Sequence, residues 1–211
     1  VLLMGSAARV YIVEDDDAVR DSLKMMLESI GRDVTSFASA DQFLVAYNQE
    51  MAGCIVLDIR MPGTNGMELQ RKLNDTNSIL PIIFVTGHGD VPMAVEAMQQ
   101  GAIDFVQKPY REQELLDKIS QAMKLDEENR SSLQRRQQIL DSMAELTPRE
   151  KDVLLLMVDG KANKVIAIEL DISQRTVEIH RARVMEKLSA NSLAHLVRMY
   201  MVVEPERPNN H

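Results

Sequence analysis

From residue 9 to residue 125, short apolar runs alternate with stretches whose apolar residues recur every three or four positions. Val10-Tyr11-Ile12-Val13 and Cys54-Ile55-Val56-Leu57 are apolar throughout, the pattern of parallel strands buried on both faces. Val34 to Phe37, Ile79 to Val85 and Ile103 to Val106 supply three further strands. Val19, Leu23, Met26, Leu27 and Ile30 predict a first helix, capped by Asp17 and stopped by Gly31. Ser39 with Gln42 has the capping-box spacing for a second helix. Further helices are predicted near Met67 to Leu73, over Val91 to Gln100 and over Glu112 to Lys124. Five strand–helix units with tight connections predict a doubly wound parallel sheet covered by helices on both faces.

The pattern then changes. Residues 110–145 contain neither Pro nor Gly and turn mostly polar after Leu125. Leu133, Leu140 and Met143 form a thin coiled-coil-like seam, so 126–142 reads as a helical linker. Thr147-Pro148-Arg149-Glu150 is a strong helix start, with a capping Thr, Pro at the first position and Glu at the third. Val153, Leu154, Met157 and Val158 give that helix its buried face, and Gly160 ends it. Val165, Ile166, Ile168 and Leu170 mark a short second helix. Ser173 caps a third, and Leu193, Leu196, Val197 and Tyr200 a fourth. A short helix, a tight turn and a helix with cationic side chains form a helix-turn-helix pattern.

Charge separates the same two regions. The chain of 211 residues has a net charge of −8, which argues at first against a nucleic-acid ligand. Residues 1–125 carry −7, whereas residues 146–200 carry +2. No apolar run approaches the ~18–20 residues of a membrane span, so no membrane contact is expected. The opening Val1 to Met4 is too short for a signal-peptide core and reads as an upstream translation or cloning remnant. The single cysteine, Cys54, excludes an internal disulfide and suits a reducing cytoplasm; it reads as a small buried strand residue.

In a doubly wound sheet the site lies beyond the carboxyl ends of the strands. Glu14, Asp15, Asp16 and Asp17 follow the first strand, Asp58 the third, Thr86 the fourth and Lys108-Pro109 the fifth. Carboxylates gathered there repel unless a cation shares the site, and an oxygen-only donor set suits Mg2+. Lys108 and the Thr86 hydroxyl could hold phosphoryl oxygens, and Asp58 could act as a nucleophile on phosphorus. Taken singly, the acidic run reads as a solvated loop and Lys108 as a surface lysine. Their joint placement at successive strand ends is the signal.

Val13-Glu14-Asp15-Asp16, Leu57-Asp58-Ile59-Arg60-Met61-Pro62-Gly63, Val85-Thr86-Gly87-His88-Gly89-Asp90 and Lys108-Pro109 occur in order. On these motifs, residues 9–125 resemble the receiver domain of two-component response regulators, which has a flavodoxin-like (βα)5 fold. The resemblance implies that Asp58 is the phosphoacceptor. It implies that Glu14, Asp15, Asp58 and the Arg60 backbone carbonyl hold Mg2+, that Thr86 moves toward the phosphoryl group, and that Phe105 is the switch aromatic. Glu14 stands where Asp is commoner.

Leu146-Thr147-Pro148-Arg149-Glu150, Gly160, Asn163-Lys164, Ile166-Ala167, Ser173, Thr176-Val177 and His180 make residues 143–203 similar to the LuxR-type DNA-binding domain, a four-helix unit. By that likeness Gln174 to Lys187 is the recognition helix, and Lys164 and Thr176 touch phosphates. Gln174, Arg175, Glu178, Ile179, His180, Arg181, Ala182, Arg183 and Lys187 complete the DNA-facing set. Basic side chains neutralise phosphates, and Gln, Glu, His and Arg can reach base edges. The two domains together resemble the NarL/FixJ class, with His88-Gly89-Asp90-Val91-Pro92 and Asn163-Lys164 pointing to its FixJ-like branch.

The function this implies is a transcription regulator controlled by phosphoryl transfer from a sensor histidine kinase. Its partners would be promoter DNA, RNA polymerase and, on phosphorylation, a second copy placing recognition helices one helical turn (~34 Å) apart. Two alternatives use the same residues. One is a regulator of this architecture that works without phosphorylation. The other is a Mg2+-dependent phosphatase, disfavoured because no second acid is placed to protonate a leaving group; the protein is therefore not expected to be an enzyme.

Overall fold

The structure, a computed structural model, describes residues 7–87 and 91–204. The expectations for Val1 to Met4 and for His88 to Asp90 lie outside the described residues. The chain divides after Arg130 into two compact units.

In the first unit, strands β1 (Arg9–Val13), β2 (Val34–Phe37), β3 (Gly53–Asp58), β4 (Ile82–Thr86) and β5 (Asp104–Gln107) form one sheet. All its pairings are parallel and its order is β2-β1-β3-β4-β5. The helices are α1 (Asp17–Ser29), α2 (Ala40–Ala46), α3 (Gly66–Asp75), α4 (Val91–Gln99) and α5 (Glu112–Ala144). Alternate strand residues face opposite ways. Val10, Ile12, Cys54, Val56, Ile83 and Val85 pack with Leu23 and Leu27 of α1 and Leu115, Ile119 and Ala122 of α5. Tyr11, Val13, Ile55, Leu57, Ile82 and Phe84 pack with α2, α3 and α4 through Phe43, Leu69, Leu73 and Ala97. The strand order reverses between β1 and β3, which places a crevice at the carboxyl ends of those two strands. Cys54 lies on the buried face, and burial pushes its thiol up to about 12.

Several local expectations change. The cap of α1 is Asp16, whose carboxylate accepts from the Val19 amide at 3.1 Å. Asp17 falls inside the helix and ion-pairs with Arg20 instead. Ser39 accepts from the Gln42 amide, but the Gln42 side chain reaches Ala38 rather than the cap residue, so the box is half formed. The helix predicted to Lys124 continues without interruption to Ala144, because nothing in the sequence breaks it. The apolar seam is not closed: Leu133 is exposed, and the buried apolar residue of the 126–142 stretch is Ile139.

The second unit contains the end of α5 and helices α6 (Pro148–Val158), α7 (Asn163–Glu169), α8 (Gln174–Lys187) and α9 (Leu193–Val203). Thr147 and Glu150 close a full capping box on α6, and Gly160 takes the left-handed conformation just past its end. Val153, Leu154, Met157, Ile166, Val177, Val184, Leu188, Leu196 and Tyr200 share one core. Ile168, read as part of the second helix's apolar pattern, is exposed. No helix among the described residues is long and apolar enough to cross a membrane.

Candidate functional site

The topology brings together side chains that are far apart in sequence. Glu14 follows β1, and Asp58 ends β3. Carboxylate oxygens of Glu14, Asp15 and Asp58 lie within 4.8 Å of one another. One ammonium bridges this group: Lys108 Nζ donates to Glu14 Oε2 at 2.9 Å and lies 3.4 Å from Asp58 Oδ2. Glu14 is buried, with its side chain 3% exposed. Burial holds its carboxyl above the usual range; Lys108 opposes this and the Asp58 charge adds to it. Burial alone would lower the Lys108 ammonium, but the hydrogen bond to Glu14 and the charge of Asp58 outweigh it and leave it raised.

The surroundings hold this group in place. Arg20 donates to the backbone carbonyl of Glu14 at 2.9 Å and to that of Asp15 at 3.4 Å, while pairing with Asp17. The Asp16 amide donates to Glu14 Oε1, and the Arg60 amide donates to Asp58 Oδ1. Lys108 is fixed by its own amide, which donates to the Thr86 carbonyl at 2.7 Å. The Lys108–Pro109 peptide is cis. Thr86 ends β4, fully buried, and its hydroxyl has no partner among the described residues. Phe105 lies beside Phe84 in the β4–β5 pairing, half-buried against the core. The residues expected to act together on β1, β3, β4 and β5 are therefore gathered at one end of the sheet. An oxygen-only set of three carboxylates with a single nearby ammonium fits a hard divalent cation.

Two residues escaped the sequence reading. Arg20, on α1, has no local sequence signal of its bonds to the Glu14 and Asp15 carbonyls. At Gly66 a Cβ would lie 2.3 Å from the Asp58 carbonyl oxygen, so only glycine lets α3 pass beneath the Asp58 loop. The signal for Gly66 was its place directly after the capping Asn65.

In the second unit, Lys164 on α7 and Gln174, Arg175, Glu178, Ile179, Ala182 and Arg183 on α8 are exposed, while Thr176, His180 and Arg181 are half-buried. The Ser173 hydroxyl caps α8 and lies 2.8 Å from the Thr176 hydroxyl. His180 Nδ1 is buried without a partner among the described residues. Lys187 departs from the expected DNA-facing set. Its ammonium donates to Glu150 Oε2 at 2.7 Å and to the Glu145 carbonyl at 3.1 Å, which ties the end of α8 to the start of α6. That lysine hydrogen bond, with the Thr147 amide, holds the Glu150 carboxyl down at about 2.

Comparisons with known proteins cover both units. Residues 10–120 match the response regulator receiver domain, and residues 144–200 match the bacterial regulatory proteins of the luxR family. The chain is 45% identical over 198 residues to the transcriptional regulatory protein FixJ of Bradyrhizobium diazoefficiens, covering 94% of this chain and 97% of that one. It is 44% identical over 193 residues to the response regulator protein TodT of Pseudomonas putida, covering 92% and 85%. Among solved structures it resembles the response regulator StyR with a TM-score of 0.84 at 44% identity, covering 92% of this chain and 98% of that one. Full-length FixJ from B. japonicum matches with a TM-score of 0.59 at 44% identity, covering 96% and 100%. The named relatives are regulators, in keeping with a crevice that gathers acids at one end of the chain and an exposed helix with basic side chains at the other. On both domains and over nearly its whole length, the chain belongs to the DNA-binding two-component response regulators, a receiver joined to a LuxR-type helix-turn-helix.

Proposed function

We propose that Asp58 accepts a phosphoryl group from a sensor histidine kinase and that its phosphorylation controls promoter binding by α8. The observation that carries this is the shared ammonium of Lys108 between Glu14 and Asp58, with the unpartnered Thr86 hydroxyl at the end of β4. In the transfer, an Asp58 oxygen attacks phosphorus and the bond from phosphorus to the donor nitrogen breaks, its electron pair leaving with the donor. Glu14, Asp15, Asp58 and the Arg60 carbonyl would hold Mg2+, which would offset negative charge on the transferring group. Lys108 would pair with one phosphoryl oxygen, and Thr86 would donate to another. A hydroxyl drawn toward Asp58 leaves space beside β4, into which Phe105 repacks. The receiver surface changes with it, and two copies associate.

On the DNA side, Lys164 and Thr176 serve phosphates, and Gln174 to Arg183 face the major groove. Lys187 we assign to the fold. The functional parts are the receiver at 9–125, the helical linker at 126–142 and the DNA-binding domain at 143–203. A cytoplasmic setting follows from a promoter as partner.

The test treats the purified protein with Mg2+ and a small-molecule phosphodonor, with Asp58→Asn alongside. Mass spectrometry should place one phosphoryl group on Asp58, and light scattering should show dimer formation in the wild type alone. An equal response from Asp58→Asn would overturn the proposal.

A further inference from the structure

The outward face of α8 combines two signs of charge. Arg175, Glu178, Ile179, Ala182 and Arg183 are all exposed on it. A face that approaches DNA is favoured by cations, and a carboxylate there repels phosphates. Glu178 is therefore a cost to binding unless it meets a donor. Its place in the fold does not explain it. It is the fifth residue of α8, beyond the first turn where an acid gains from the helix dipole, and no acid occupies that first turn. Among the described residues no ion pair or hydrogen bond engages its carboxylate, in contrast to Glu150, Glu169 and Asp152 of the same unit. Ala182, four residues on and so the next residue along that face, ends at its methyl and leaves the carboxylate room to extend.

An ionised carboxylate only accepts hydrogen bonds. In the major groove, cytosine N4 and adenine N6 are the amino donors, and adenine sets an N7 acceptor beside its amino group. An acceptor-only side chain is repelled by that N7 and fits cytosine. We infer that Glu178 reads the N4 amino group of one cytosine in each half-site, making it a specificity-determining residue. The inference rests on α8 being the major-groove helix.

The experiment selects bound sequences from a random duplex pool, using the full chain with Mg2+ and phosphodonor, for wild type, Glu178→Gln and Glu178→Ala. The wild type should enrich a site with cytosine at one position per half-site. Glu178→Gln should move that position toward adenine, whose N6 and N7 match the glutamine amide. Glu178→Ala should lose about ten-fold of the preference there and leave other positions unchanged. If both variants keep the cytosine and bind every sequence more tightly, Glu178 only repels phosphate and the inference is overturned. If the wild type enriches no sequence at all, the DNA-binding reading itself fails, a different result from the failure of Glu178.

Discussion

Each half of the molecule contains a buried glutamate paired with a lysine, and the two pairs behave oppositely. Glu14 meets Lys108 at 2.9 Å in the receiver, and Glu150 meets Lys187 at 2.7 Å in the helix-turn-helix unit. Both glutamates are nearly inaccessible, yet the Glu14 carboxyl is raised and the Glu150 carboxyl is held at about 2. The difference lies in their company. Glu150 has the Thr147 amide and a lysine whose other bond goes to a neutral backbone carbonyl, within a capping box that stabilises α6. Glu14 shares its lysine with Asp58 and lies in a cluster with Asp15. One pair is satisfied and structural. The other has more negative charge than the protein neutralises, which is what a site for a cation and a phosphoryl group requires.

The comparison can be broken first at Lys187. Lys187→Met should leave Glu150 buried without its cation and lower the thermal midpoint of the DNA-binding unit by about 5 °C or more. An unchanged midpoint in calorimetry would mean that the pair is incidental. Next in size, Gly66→Ala forces a methyl against the Asp58 carbonyl. It should cost the receiver about 1–3 kcal/mol in urea unfolding and slow the labelling of Asp58 by phosphodonor.

Neutralising the glutamates should sharpen the contrast by giving opposite signs. Glu14→Gln removes one repelling charge and should raise the urea midpoint of the receiver in chelator, while weakening the protection conferred by Mg2+. Glu150→Gln should destabilise its own unit at neutral pH. The smallest effect is the acid response of that unit. Because Glu150 is held at about 2 in the folded protein, against 4.5 for the free group, its contribution is complete above pH 4.5 and is lost as pH falls toward 2. The protection of α6 amides from hydrogen exchange, relative to their intrinsic rates, should fall across that window in the wild type and less steeply in Glu150→Gln.

How much of this was legible in the sequence depended on range. Asp58 was legible because a carboxylate directly ends an apolar strand, and Thr147 and Glu150 because a cap is local. The bond from Lys187 to Glu150 was not legible, because it is long-range. The likeness placed Lys187 among the DNA-facing residues of the recognition helix, and its partner Glu150 lies 37 positions away on another helix. Asp126 illustrates the opposite error. Read as one polar linker residue among many, it is buried, accepting from the Gly53 amide at 2.8 Å and from Arg130 Nε at 2.8 Å. Arg130 also donates to the Met51 carbonyl, so the polar part of α5 is fastened to the start of β3. Leu115, Ile119, Ala122 and Asp126 follow one another at helical spacing, so the buried stripe itself pointed to Asp126. Asp16 rather than Asp17 capping α1 was beyond reach, since adjacent aspartates satisfy the same preference.

In the proposed function a charge written at Asp58 is read out by α8. The most direct measurement is fluorescence anisotropy of a duplex enriched by the wild-type protein, titrated with wild type and Asp58→Asn, with and without phosphodonor at constant salt. Phosphodonor should tighten wild-type binding by about ten-fold or more and leave Asp58→Asn unchanged, at the affinity of the untreated wild type. Equal binding by all four samples would contradict it.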